Sequence, residues 1–262
     1  MVIDSGVEME FVADYALLIA KLSGAKFFLV PAYKGEEVAS TIRSIEDRAE
    51  AEGIETEILS IEDDVVKGIN KLVKDRKLDL ILVSLKGERD GRFFIGTLAQ
   101  RLMKHAKASV IGVRIVKARA ITHHRRLLVP VSNREYHFKE RLFLIRGISR
   151  SLSLNVSLFR CIKSRDKTFD RDEMRAVFED SREYLAPLSE GILEGGIRTD
   201  VRVRVCDDAT DGILDEAMAG RFDLLLVRAV KRNVVKEFLS GNEVEEIIRR
   251  TPSNLLLWKS RE

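Results

Sequence analysis

The chain has 262 residues, 45% hydrophobic and 33% charged, and its 45 Lys+Arg against 42 Asp+Glu leave a formal net charge of only +3. Basic residues interleaved with acidic ones, and aromatics at only 6%, leave no footing for nucleic-acid binding. No stretch approaches the ~18 consecutive apolar residues of a membrane-spanning helix, and no basic-then-apolar leader opens the chain, so a cytoplasmic location is expected.

Val2-Ile3-Asp4 reads as the tail of a strand, cut short by the start of the chain. Phe11, Tyr15, Leu18, Ile19 and Leu22 then recur at helical spacing, and Gly24 closes that helix. Lys26 to Pro31 is a strand-length apolar run, Glu36 to Glu52 a surface helix buried along Val38, Ile42 and Ile45, and Gly53 its stop. Ile54 to Ser60 alternates as a strand, and Asp63 or Asp64 caps the next helix. Leu78 to Leu85 is apolar almost throughout, as suits a strand covered on both faces. Strands alternating with helices imply a parallel sheet with right-handed crossovers.

The segment Lys117 to Arg126 is basic and without a clear period, and reads as a junction. Beyond it the plan repeats: strand RLLVPVSN, helix Lys139 to Leu152, strand LNVSLFRCI, a long charged helix Asp170 to Ile192, strand TDVRVRV, and helix Asp211 to Ala219. Leu78 to Val83 pairs with Phe222 to Val227, Gly96-Thr97 with Gly241-Asn242, and Ser109 to Val113 with Asn254 to Trp258. Two units follow, 1–118 and 125–262, each within the size of one domain.

Cys161 and Cys206 sit at the ends of apolar runs and read as buried thiols, with a disulfide as the less favoured alternative in a reducing compartment. His123-His124 read as part of a solvated linker, since no Cys or carboxylate spacing around them fits a metal template. No nucleophile elbow or complete phosphate-binding loop of the Walker type is present.

The stretch with chemical promise is Leu78 to Arg114, where a glycine-bearing loop joins a strand to a helix opened by Gly96-Thr97. Such a loop lets backbone N–H groups approach a phosphate, and the helix aims its positive end at the same place. Its glycines are Gly87, Gly91 and Gly96, spaced G-x3-G-x4-G-T, with Lys86, Arg89 and Arg92 adding charge.

With the VIDSG opening at Val2 to Gly6, the VPV of Val129 to Val131, and the G-[ST], helix, small or Pro residue, apolar strand pattern closing each half, the chain resembles the tandem members of the universal stress protein family. The resemblance implies an α/β fold of two doubly wound domains, each with a five-stranded parallel sheet. They would meet through their last strands, making the chain its own dimer. It also implies binding of ATP or AMP, with or without Mg2+, through Asp4, Val30 and the loop of Gly87, Gly91, Gly96 and Thr97. This loop is several residues shorter than the family's G-x2-G-x9-G-[ST]. The second copy has Ser132 where the first has Asp4, and its loop RAVKRNVVKEFLS holds no glycine, so nucleotide is expected in the first domain alone.

The function so implied is that of a stress-response or regulatory protein. The alternative is a ligand-free interaction module that uses no cofactor, binds a protein partner, and serves as a soluble partner or domain of a membrane transporter; tandem chains pairing into a homodimer stay open. No residue stands out as a base to activate water, so an enzyme is not expected beyond slow ATP hydrolysis.

Overall fold

The computed structural model describes residues 1–4, 6, 8–61, 64–85, 88–89, 92–93, 96–132, 138–164, 169–229 and 243–261. The first half comprises β1 (Val2–Ile3), α1 (Glu8–Ser23), β2 (Phe27–Pro31), α2 (Glu36–Ala51), β3 (Thr56–Ile58), α3 (Val65–Asp75) and β4 (Leu80–Ser84). A short antiparallel hairpin follows, β5 (Glu88–Arg89) and β6 (Arg92–Phe93), then α4 (Thr97–His105) and β7 (Ser109–Arg114). The second half comprises β8 (Arg126–Pro130), α5 (Phe138–Leu152), β9 (Asn155–Lys163), α6 (Arg171–Glu194), β10 (Thr199–Cys206), α7 (Ala209–Ala219), β11 (Leu224–Arg228), α8 (Glu243–Arg250) and β12 (Asn254–Lys259).

Local chemistry sets the ends of these elements. Asp64 caps α3 by accepting from the N–H groups of Val66 and Lys67, and Asp170 forms a reciprocal capping box with Glu173 at the start of α6. Gly24 at φ +57° and Gly53 at φ +70° turn the chain out of α1 and α2 through the left-handed region.

A seven-stranded sheet runs β10-β9-β8-β11-β12-β7-β4. Its pairings are parallel within each half, while β12 and β7 run antiparallel with Leu257 opposite Gly112. The last strands of the two halves therefore meet inside one chain, as the resemblance implies. The remaining strands form a separate parallel sheet, β1-β2-β3, with β1 lying beside β4. Read across that gap, β3-β2-β1-β4-β7 repeats β10-β9-β8-β11-β12, so each half is a doubly wound unit of five parallel strands.

The first sheet departs from expectation in being split. In the second half Leu127 and Leu128 of β8 pair with Leu224 and Leu225 of β11, whereas two-residue β1 forms no ladder with β4. The helices cover both faces: α1, α2, α5 and α6 share one apolar core, and α3, α4, α7 and α8 share the other. Both cores cross the midline, since Ile111 of β7 and Leu127 of β8 belong to the first, and Val110 and Leu128 to the second.

One expectation for the junction fails. His123 is exposed, but His124 is wholly buried, at the end of a 3-10 turn spanning Ile121–His123. Among the described residues no helix is long and apolar enough to cross a membrane.

Candidate functional site

In an open parallel α/β sheet the crevice lies at the carboxyl ends of the strands, where the winding reverses. In the first half that point falls between β1, whose chain continues into α1 on one face, and β4, whose chain continues to α4 on the other.

Asp4 stands at the carboxyl end of β1, half-buried. The turn after it is held by Gly6, at φ +123°, whose N–H donates to Glu37 Oε1 at 3.0 Å and whose carbonyl accepts from the N–H of Met9 at 3.0 Å. Val30 is buried in β2, and its N–H donates to the carbonyl of Met1 at 3.0 Å. The amide of Val30 is thus committed to the sheet.

Across the crevice, β4 ends at buried Ser84, and the N–H of Leu85 donates to the carbonyl of Val113 at 2.7 Å. Gly87 and Gly91 lie outside the described residues. Glu88 and Arg89 pair with Phe93 and Arg92, so the stretch read as a loop carries a hairpin. Gly96 is the N-cap of α4 and Thr97, exposed, its first helical residue.

The start of α4 differs from the others. Helices α1, α2, α5, α6, α7 and α8 each carry an acidic residue in the first turn, and α3 is capped by the Asp64 carboxylate. Alone among the described α-helices, α4 has neither an acid in its first turn nor a side-chain cap. Among the described residues, neither a first-turn acid nor a side-chain cap compensates its first N–H groups and the positive end of its dipole. Asp64 is held in an ion pair with Arg101 of α4, and that hydrogen bond, with the N–H of Lys67, holds it below the usual carboxylate range.

The matching end of the second half is built differently among the described residues. Ser132, in the place of Asp4, gives its carbonyl to the hydroxyl of Tyr184 at 2.9 Å. Helix α8 opens with Glu243, Glu245 and Glu246, and Glu243 pairs with Lys163 of β9 at 2.6 Å; Gly241-Asn242 lie outside the described residues. The Cys161 and Cys206 thiols are free, half-buried, and in mutual contact, and burial pushes the Cys161 thiol up to about 12. They pack against α7 so closely that a Cβ at Gly212 would stand 2.4 Å from Cys206 Sγ. Among the described residues no group of three His, Cys, Asp or Glu could hold a metal ion.

A second polar cluster, unmarked by any sequence motif, ties the halves together. Tyr15 of α1, His124 of the junction and Asn254 of β12 form a buried hydrogen-bonded chain. Asn254 Oδ1 accepts the N–H groups of Val116 and Lys117 at 2.9 and 2.8 Å. Asp223 accepts from the backbone N–H groups of Arg125 and Arg126 and pairs with Arg119.

Residues 18–114 match the model of the universal stress protein family, a span that includes Val30, Gly87, Gly91, Gly96 and Thr97 and begins after Asp4. No curated protein matches the chain. A protein of unknown function from Pseudomonas aeruginosa PAO1 is similar over 99% of this chain and 91% of its own, with a TM-score of 0.69 at 14% identity. A universal stress protein from Archaeoglobus fulgidus DSM 4304 is similar over 100% and 98%, with a TM-score of 0.62 at 16% identity. The cytoplasmic domain of a prokaryotic cation chloride cotransporter is similar over 99% and 94%, with a TM-score of 0.65 at 12% identity. At such identities the likeness is one of fold, and it extends through both halves. One domain of the universal stress protein family is found at residues 18–114.

Proposed function

We propose that the chain is a cytoplasmic stress-response or regulatory protein that binds one adenine nucleotide, ATP or AMP, in a first domain formed by residues 1–118. The reading rests on the start of α4, where amides and dipole lack the acid or cap that every other described α-helix has. Phosphate oxygens supply that missing negative charge. Gly96 and Thr97 present their N–H groups to the phosphates, Gly87 and Gly91 let the preceding backbone close around them, and Asp4 accepts a hydrogen bond from the adenine edge. Val30 walls the base from below, with its amide already paired. Mg2+ accompanies the triphosphate without a protein cage of its own.

The second domain, residues 125–262, acts as a structural half. Glutamates at the head of α8 repel phosphate, and the paired thiols occupy the ends of β9 and β10. Calorimetric titration with ATP and with AMP tests this, with a stoichiometry of one per chain expected. Absence of heat from either nucleotide refutes the site, and two equivalent sites refute the division of labour.

A second reading takes the chain as an interaction module, and the acidic head of α8 favours it. In that case the protein binds a partner with no nucleotide present, as a soluble partner or domain of a membrane transporter. Affinity capture with and without ATP separates the two, and sedimentation reports whether tandem chains pair into a homodimer.

A further inference from the structure

Strand β10 ends the seven-stranded sheet, and among the described residues β9 is its only strand partner. The carbonyls of Arg198 and Cys206 accept from the N–H groups of Val156 and Ser164 on the β9 side. Backbone direction alternates along a strand, so the even-numbered residues address β9, while the N–H and C=O groups of Thr199, Val201, Val203 and Val205 address the open edge. None of the eight residues of β10 is fully buried. A groove of about 530 Å3 follows this edge, lined by Phe178 and Arg182 of α6, by Val201 and Val203, and by Glu216 of α7.

The corresponding edge of the first half is blunted. Strand β3 has three residues, and Glu55 and Glu57 there are tied to Lys26 and Arg76. On β10 the charges close on themselves instead. Arg202 binds Asp200 and Glu216, each at 2.7 Å, and Arg204 binds Glu216 at 3.0 Å. Two guanidinium groups thus meet two carboxylates, and this side of the edge has no net charge to repel a copy of itself. Val201, Val203 and Val205 stand half-buried on the other side, toward α6.

We propose that β10 is the interface with a second copy of this chain, the two strands pairing antiparallel about a twofold axis at Val201. Such an axis keeps each side chain on its own face, so valines meet valines and the charged row meets itself. Centred on Val201, the pairing sets Asp200 of each copy opposite Arg202 of the other, at non-hydrogen-bonded positions where side chains lie closest. Centred on Asp200, Arg202 or Val203, it sets like charges face to face, which is destabilising. Arg198, opposite Arg204, is exposed and precedes the strand, so water and salt screen that pair. The outward groups of Val201 then bond their own counterparts, and those of Thr199 bond those of Val203. A foreign acidic strand fits less well, because Arg202 and Arg204 already hold carboxylates. The inference does not depend on nucleotide binding.

Sedimentation equilibrium of the full chain is expected to give twice the chain mass, with amide exchange at Val201 and Val203 slowing as protein concentration rises. Val201→Pro removes an outward donor and leaves the β9 ladder intact, and it is expected to weaken self-association at least about tenfold. Should that variant not fold, Val201→Lys serves instead, setting two ammonium groups together at the axis with the same loss expected. Thr56→Lys, on the blunted edge, is expected to leave association unchanged. The proposal falls if the chain stays monomeric, if exchange at Val201 and Val203 ignores concentration, or if the dimer survives the folded Val201 variant. Protection of these amides in a monomer by an added Glu-Val-Glu-Val-Glu peptide would overturn it and reassign the edge to a foreign strand.

Discussion

The hydroxyl of Tyr15 meets Nε2 of His124, 109 residues further along the chain, at 2.7 Å inside the protein, with the rings stacked at 28°. Tyr15 Oη also accepts from Asn254 Nδ2 at 3.2 Å, and the second ring nitrogen of His124 is Nδ1. That nitrogen is buried and without a hydrogen-bond partner in the structure.

Burial therefore lowers His124 from 6.5 to about 4; Arg119, Lys117 and His123 act in the same direction and Asp223 opposes them. With the folded value below the unfolded one, the unfolded chain binds more protons between them. Stability is full above pH 6.5 and falls as the pH drops toward 4, by at most about 3.5 kcal/mol at about 1.4 kcal/mol per unit. Urea melts of the parent and of His124→Phe across this range test it. The parent should lose stability over the window and the variant much less; equal slopes would refute the assignment.

Asn254→Ala removes the acceptor for the amides of Val116 and Lys117 and the donor to Tyr15. Unmet amides in a partly buried junction predict a loss of about 2–3 kcal/mol in denaturant unfolding. An Asn254→Asp variant keeps the acceptor and should recover part of it.

Gly112 lies on β7 at the antiparallel seam, where an added Cβ would stand 2.5 Å from Leu85 Cδ2 and 2.7 Å from Met103 Cε. Gly112→Ala overpacks the floor beneath α4 and should cost about 1–3 kcal/mol. Gly112→Ala combined with Leu85→Val should recover stability, which thermal unfolding can read.

Thr97→Glu separates binding from folding. A carboxylate at this exposed first position of α4 favours the helix dipole by about 0.3–1 kcal/mol, yet it takes the place proposed for phosphate. Tm should hold or rise while nucleotide affinity falls at least about tenfold, equivalent to ~1.4 kcal/mol. Unchanged affinity in calorimetry would move the phosphates elsewhere.

Thiolate is the reactive form of cysteine, and the raised Cys161 thiol holds almost none at neutral pH. Iodoacetamide at pH 8 should label Cys161 far more slowly in the folded chain than in urea, as mass spectrometry of the Cys161 peptide would show.

Helices and strands were legible because their signals are local. The stripe Val38, Ile42 and Ile45, the Asp170 cap and the alternation of TDVRVRV each lie within one element, while the meeting of last strands was implied by the family resemblance. His123-His124 carries no such signal: which ring turns inward is settled by Tyr15 and Asn254, far away in sequence. The hairpin around Gly91 was equally hidden, since its pairing is only two residues long on each side. The bare start of α4 was visible in Gly96-Thr97-Leu98-Ala99, but it gains meaning only beside Asp64, Asp170 and Asp208, whose capping roles depend on where each helix begins. Likewise, Val2-Ile3-Asp4 announced a strand end without revealing that β1 would form no ladder with β4.

The antiparallel seam of β7 and β12 makes the molecule two-poled. Strands of the first half point their carboxyl ends one way and those of the second half the other, so Arg114 at the end of β7 stands beside Leu255 near the start of β12. The strand ends near Asp4 and Gly96 thus lie at one pole, and those near Cys161 and Glu243 at the opposite pole. Six residues of strand, roughly 20 Å at about 3.3 Å each, separate the two ends of the seam, so a ligand at either pole is out of touch with the other. What joins the poles is the β7–β12 seam, the cores that both halves share and the Tyr15–His124–Asn254 chain.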